Sequence, residues 1–388
     1  MTSMYFTEEH NLFRKSLQDF LKKEVVPHID SWEKSGEIDK SVWLKFGEMG
    51  FLGINYPEAY GGLDLDLFYT IILLEELQKI NSGGFAAAVW AHVYLAMTHL
   101  KAEGDDTIKE TYLAPSITGE KIGCLCITEP FGGSDVAGMR TTAVKKGDTY
   151  VINGSKTFIT NGVYSDYLVV AAKTSPESGN KGISIFVVDR NSQGLSATKL
   201  DKLGWNASDT GEIAFADVVI PAGNLLGKEN QGFNYIMQHF ALERLIMGIN
   251  AHARAEFALE YAKQYMSERT AFGKTIDRFQ ALRHKMVDLY ADLDVNKNYN
   301  YTVANALNKG EYVVKEATIS KLKSTKMADE VIYSCLQFLG GYGYMEEYPM
   351  ARMFRDSRLG PIGGGTSEIL REILSKIIID NKEYKPAT

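Results

Sequence analysis

The spacing of apolar residues changes twice along this chain, and those two changes constrain the fold more than any single residue does. Up to about Glu120 apolar positions recur every three and four residues, as in Leu17, Phe20 and Leu21 and again in Leu73, Leu74 and Leu77, the period of an amphipathic helix. Pro57, Gly61 and Gly62 interrupt that region. From about residue 123 the pattern turns β-rich: stretches near 150–159, 167–172, 182–188 and 212–219 are dense in β-branched and aromatic residues and bounded by Gly, Pro, Asn or Asp. Asn153-Gly154, inside the first of these, predicts a hairpin turn. Beyond about Gly227 helical spacing returns with Phe233, Ile236, Met237 and Phe240, and further helices are predicted over about 275–308, 312–338 and 366–380. Helices, then strands, then helices, without βαβ alternation, predict an α+β multidomain fold and argue against a Rossmann sheet. The domains are expected at 1–122, 123–228 and 229–388, with no internal repeat.

Composition removes several function classes. A chain of 388 residues with 45% apolar and 23% charged residues can bury a large core. Its net charge of −7, without a strong Lys/Arg cluster, disfavours nucleic acid as a partner. No apolar run is long enough to span a bilayer. Thr7 followed by Glu8 and Glu9 reads as a capped helix start, unlike a secretory or transit segment, so the expected compartment is the cytoplasm, or an organelle matrix if a targeting segment is absent from this form. Cys124, Cys126 and Cys335 are odd in number and lack zinc-ribbon spacing, and no two of the seven histidines fall in a helix-face ligand pattern; no metal is expected.

Three glycine-containing polar stretches stand out, at 128–135, 337–343 and 363–368; each reads alone as a turn or as a close backbone approach to a ligand. Glu243 lies in an apolar stripe with Ile236, Phe240 and Met247, spaced to share one helix face. Desolvation there would raise its pKa and suit it to abstract a proton from carbon. A buried ion pair with Arg244 or Arg254 accounts for the same pattern. His92, His99, Trp90 and Trp205 read as packing residues.

Together these stretches resemble the acyl-CoA dehydrogenase family. Its Thr-Glu-Pro-x-x-Gly-Ser-Asp pattern matches Thr128 to Asp135, and the match continues through Lys156 to Gly162, Glu268-Arg269-x-x-Phe272-Gly273-Lys274 with Gln280, and Gln337-x-x-Gly340-Gly341. The resemblance spans nearly the whole chain. It implies an all-α N-terminal domain, a middle β domain and a C-terminal four-helix bundle, assembled as a homotetramer with one FAD per subunit. Matching positions imply that Leu125, Ile127, Thr128 and Ser134, with Phe158, Ile159 and Thr160, line the isoalloxazine and ribityl side, and that Thr366 and Glu368 touch FAD. Arg269, Phe272, Gln280, Gln337 and Gly341 match positions that hold the pyrophosphate and adenine, partly from a neighbouring subunit. Ser134, Arg244 and Gly365 match substrate positions.

Two departures bear on chemistry. Many members carry the catalytic Glu where this chain has Gly364, whereas the long-chain and isovaleryl branches place it on a helix before an Arg, the position of Glu243-Arg244. Gly364 can then contribute only its backbone N–H to the thioester oxygen. Ala241 stands where several members carry an Asp near the pantetheine, and Phe131 and Phe158 replace the more usual Gly and Trp. The resemblance implies α,β-dehydrogenation of a medium- to long-chain acyl-CoA to a trans-2-enoyl-CoA in fatty acid β-oxidation, with Glu243 as base and an electron-transfer flavoprotein as acceptor. The chain-length reading rests on Ser82-Gly83-Gly84-Phe85, which resembles the small-residue stretch that leaves a long-chain pocket open. An isovaleryl or branched-chain dehydrogenase, an oxidase on the same fold and a non-catalytic acyl-CoA-binding protein are the rival readings.

Overall fold

The computed structural model describes residues 4–383. The N-terminal part is helical: α1 (Glu8–Phe20), α2 (Ile29–Ser35), α3 (Lys40–Glu48), α4 (Leu67–Lys79), α5 (Gly83–Trp90), α6 (Met97–Glu103), α7 (Asp106–Ile108) and α8 (Ala114–Ile117). Thr7 caps α1 as its side chain accepts from the His10 N–H, which satisfies one of the helix's orphan donors. α4 and α5 are buried on nearly all sides, which explains their almost unbroken apolar runs.

The middle part is one eight-stranded sheet. Its strands are β1 (Gly123–Cys126), β2 (Thr142–Lys146), β3 (Thr149–Thr160), β4 (Tyr167–Lys173), β5 (Ile183–Asp189), β6 (Leu195–Lys199), β7 (Thr210–Pro221) and β8 (Leu225–Leu226). They run in the order β6-β7-β3-β2-β4-β5-β8, with β1 parallel to β4. Tyr167, Val169 and Ala171 enter the core shared with the helices, while Leu168, Val170 and Ala172 enter a second core on the sheet's other face. Strand alternation thus turns a continuous apolar run into two packed surfaces. Cys124 and Cys126 point into that second core, and all three cysteines are free and buried.

Asn153-Gly154 does not turn the chain. β3 continues through it with a register shift against β7 between Ile152 and Gly154. The Asn153 side chain donates to Asp217 Oδ1 and accepts from the Asp217 N–H, so its polar groups serve a cross-strand bridge at a bulge. Gly154 is needed because a Cβ there would lie 2.7 Å from Thr141 Cα. The turn comes earlier, at Gly147-Asp148 between β2 and β3, where Gly147 has φ +58°.

The C-terminal part contains α9 (Gly232–Glu268), α10 (Gln280–Asn308), α11 (Val314–Leu339), α12 (Pro349–Ser357) and α13 (Ser367–Ile378). A two-stranded ribbon, β9 (Thr270–Ala271) with β10 (Lys274–Thr275), follows α9. α9 packs on α4, α10 and α11. Gly248 permits its close crossing with α11, since a Cβ there would sit 2.4 Å from Ser320 Oγ. Among the described residues no helix is long and apolar enough to cross a membrane.

One buried carboxylate ties the three parts together. Asp356 accepts from the Gly83 N–H at 2.9 Å and from the Trp205 N–H at 2.6 Å. A Cβ on Gly84 would lie 2.7 Å from the Trp205 carbonyl, and one on Gly83 would lie 2.7 Å from Asp356 Oδ2. This junction requires glycine at 83 and 84.

Candidate active site

The close crossing of α9 and α11 sets up the first cluster. Glu243 faces the loop between α12 and α13, where Gly364 has φ +59°. A Cβ built on Gly364 would lie 3.4 Å from Glu243 Oε1, 3.6 Å from Met247 Cγ and 3.7 Å from Lys321 Cε. Residues far apart in sequence therefore converge on one spot. Burial pushes the Glu243 carboxyl above its ordinary range, against the opposing pull of Arg244, Lys321 and His239. Arg254 is not its partner, because that guanidinium donates twice to Gln78 Oε1, at 2.9 and 2.7 Å. Arg244 is buried and donates to Thr318 Oγ1 at 3.2 Å.

A second cluster sits where β1 and β3 end. Glu129 is buried and accepts from the Arg140 and Thr141 N–H groups at 2.5 and 3.0 Å, and from Lys156 Nζ at 2.8 Å. Lys156, fully buried, also donates to the Ile127 carbonyl at 3.0 Å, and the Thr157 N–H donates to Thr128 O at 2.9 Å. These bonds bring Leu125, Ile127 and Thr128 beside Phe158, Ile159 and Thr160. Leu125, Ile127 and Thr128 remain partly exposed while Cys124 and Cys126 are buried. Phe158 is 70% exposed with φ +60°, at a second register shift in β3. A bulky residue in the left-handed region is strained, and such strain collects at ligand sites. Phe131 is exposed under the Arg140 guanidinium, 4.5 Å from its ring centre, and Ser134 is exposed in the same loop. An exposed aromatic in the left-handed region at a braced sheet end fits contact with a flat ring.

The third cluster lies at the far end of α9. Arg269, Gln337 and Gly341 line a hollow of about 430 Å³ with Tyr265, Ile276 and Tyr342. The Arg269 guanidinium lies 5.6 Å from the Tyr342 ring centre. Such a concave site with an arginine and aromatic walls fits an anion joined to a ring. Phe272, 95% exposed at the tip of the β9–β10 ribbon, and Gln280, the first residue of α10, do not line that hollow. Thr366 caps α13, accepting from the Ile369 N–H, and Glu368 is exposed in the first turn of the same helix.

Two groups escaped the sequence reading. Lys321 is fully buried on α11, donates to the Gly365 carbonyl, and is brought down to about 8 by desolvation. Its only signal was the polar series Thr318, Lys321, Ser324 and Thr325 at helical spacing, which marks a buried polar seam. The other group is His99, Glu103 and His239, whose ligand atoms all lie within 4.8 Å of one another. Each Glu103 oxygen meets one imidazole, at 3.1 Å for His99 and 2.9 Å for His239. Because His239 arrives from α9, no spacing rule along one helix could find this triad.

The helical, sheet and helical order, with a desolvated carboxyl opposite a glycine loop and a braced aromatic at the sheet's end, fits a flavoprotein oxidoreductase acting on CH–CH donors. Family models sharpen that class: the N-terminal domain of acyl-CoA dehydrogenase matches residues 7–120, the middle domain 124–218 and the C-terminal domain 230–379. The chain belongs to the acyl-CoA dehydrogenase family. It is 38% identical over 380 residues to the mitochondrial long-chain specific acyl-CoA dehydrogenase of Sus scrofa, covering 97% of this chain and 88% of that protein. It is 36% identical over 378 residues to the mitochondrial isovaleryl-CoA dehydrogenase of Arabidopsis thaliana, covering 97% and 92%. The crystal structure of an acyl-CoA dehydrogenase complexed with FAD from Bacillus anthracis superposes with a TM-score of 0.91 at 30% identity, covering 98% of this chain and 68% of that one.

Proposed function

We propose that this enzyme removes the α and β hydrogens of a straight, medium- to long-chain acyl-CoA, with Glu243 as the base. The observation that carries the reading is the coincidence of Glu243 Oε1 with the space a side chain at Gly364 would enter. Glu243 takes the α proton, and its desolvated environment strengthens it as a base once substrate displaces water. The Gly364 N–H donates to the thioester oxygen, stabilising the negative charge that develops there. FAD, when bound, supplies the ring that accepts the β hydrogen as hydride. Leu125, Ile127, Thr128, Ser134, Phe158, Ile159 and Thr160 hold that ring, and Thr366 and Glu368 approach it. Ser134, Arg244 and Gly365 contact substrate.

Arg269, Gln337 and Gly341 hold the pyrophosphate and adenine, joined by Phe272 and Gln280. Glu243 and Arg269 lie about 39 Å apart along α9, at 1.5 Å rise per residue. That distance supports a site shared between two copies of the chain, one giving the ring pocket and the other the Arg269 hollow. The exposed Phe272 ribbon suits contact with a second copy, and a homotetramer provides such pairs. An electron-transfer flavoprotein as acceptor, a place in fatty acid β-oxidation, and the cytoplasm or an organelle matrix complete the reading.

Anaerobic addition of straight-chain acyl-CoAs and of isovaleryl-CoA to the FAD-loaded protein tests it. Flavin bleaching, with kcat/KM highest for a straight chain, is expected. An optimum at isovaleryl-CoA replaces the substrate class, and binding without bleaching replaces catalysis with acyl-CoA binding.

A further inference from the structure

Lys321 has no exposed surface, yet it carries an ammonium group beside the space that Glu243 and Gly364 share. Its side-chain hydrogen bond goes to the carbonyl of Gly365, inside the loop that carries Gly364. An ammonium has three donors, so one hydrogen bond leaves most of its donating capacity and all of its charge unneutralised. A buried cation is retained only where a nearby negative group compensates it. Among the described residues the group in place to do so is Glu243.

We propose, resting on the reading of Glu243 as base, that Lys321 is a positioning residue for proton abstraction: its ammonium anchors the Gly363–Gly365 loop, and its charge keeps Glu243 ionised before substrate arrives. The loop needs an anchor because Gly364 and Gly365 both have positive φ, at +59° and +89°, and Gly364 is exposed. Fixing the Gly365 carbonyl pins the Gly365–Thr366 peptide plane, which holds the chain one residue after Gly364 and restricts how far the loop carrying the Gly364 N–H can move.

Among the described residues two further basic groups, Arg244 and His239, and one further carboxylate, Glu103, surround the pair or its neighbours. Glu243 feels Arg244, Lys321 and His239, and Lys321 feels Glu243 and Arg244. His239 is bound to Glu103, whose negative charge offsets it at Glu243. Arg244 donates to Thr318 in the α9–α11 crossing. Lys321 is the cation that touches both the base's surroundings and the glycine loop. Burial raises the carboxyl and lowers the ammonium, so each charge makes the other tenable.

Lys321→Gln keeps a donor for Gly365 and removes the charge, whereas Lys321→Arg keeps the charge. Both are compared with the wild type as FAD-loaded enzyme, by the pH dependence of flavin reduction in rapid mixing with an acyl-CoA. Losing a cation beside a carboxyl raises its pKa, so the acid limb should move up by about one pH unit in Lys321→Gln, with about a tenfold slower reduction below the limb. In Lys321→Arg the limb should stay in place. Infrared difference titration of the Glu243 carboxyl, referenced to Glu243→Gln, should show the same shift without turnover. An unmoved limb and unmoved carboxyl in Lys321→Gln, or a limb that moves in Lys321→Arg, overturns the proposal. If the glutamine variant does not fold, Lys321→Met, which also removes the charge while keeping the length of the side chain, is read by the same criterion. A wild-type protein that bleaches with no acyl-CoA is a different failure, that of the dehydrogenase reading itself.

Discussion

Glu129 and Glu243 are both shielded carboxylates near the proposed flavin site, and their surroundings push them in opposite directions. Glu129 is held below its ordinary range: burial opposes this, but Lys156, Thr141 and the Arg140 N–H together prevail. Glu243 is held above its range because burial prevails over Arg244, Lys321 and His239. The contrast separates structure from chemistry. A carboxylate surrounded by donors braces a loop and has little tendency to take a proton, whereas one short of donors is poised to accept one.

The largest effect should come from removing the bracing charge. Glu129→Gln leaves Lys156 buried without its counter-ion, and breaking such a pair costs about 3–5 kcal/mol. Denaturant unfolding should show that loss, together with poor FAD retention. If stability and FAD content are unchanged, the two carboxylates do not differ as described.

Glu243→Gln should do the reverse, with the fold and flavin intact and flavin reduction slower by roughly a hundredfold or more, about 2.7 kcal/mol of barrier. Adding Gly364→Glu to that variant should restore part of the rate, since the new side chain enters the same space. Rescue should be incomplete because φ +59° suits glycine. Near-normal reduction in Glu243→Gln alone removes Glu243 as the base.

Arg269→Ala touches neither carboxylate, so it should weaken FAD binding by about tenfold while leaving unfolding unchanged, as expected for the loss of charge-assisted hydrogen bonds. Fluorescence titration of the apoprotein measures it, and unchanged affinity rejects the pyrophosphate assignment. The smallest effect is one of position on the pH axis. Glu243 must be ionised to act, so flavin reduction should rise with pH through a midpoint above the ordinary glutamate value of about 4.3. A midpoint at or below that value contradicts the desolvated base.

The order of helices and strands was legible because each part has its own apolar period, and the stripe around Glu243 was legible because one helix face holds it. Asn153-Gly154 misled because local turn chemistry was overridden by a cross-strand partner, Asp217, that is distant in sequence. The close packing at Gly83 and Gly84 was hidden for a related reason, since the groups that crowd them belong to the loop between β6 and β7, to α9 and to α12. Lys321 was invisible among Lys323 and Lys326, because only the crossing with α9 decides which lysine of α11 is buried. What the sequence withholds is the contact between elements. Composition and periodicity describe one element at a time.

Asp356 has a consequence for motion. Its two oxygens hold a backbone N–H from the N-terminal helices and another from the loop between β6 and β7, while the residue itself belongs to the C-terminal helices. Separating any of the three parts would expose a buried carboxylate and strip donors from it, so a hinge motion between domains at this point carries that cost. Motions at that junction are then expected to be those of loops and side chains, the faster and smaller motions of a protein.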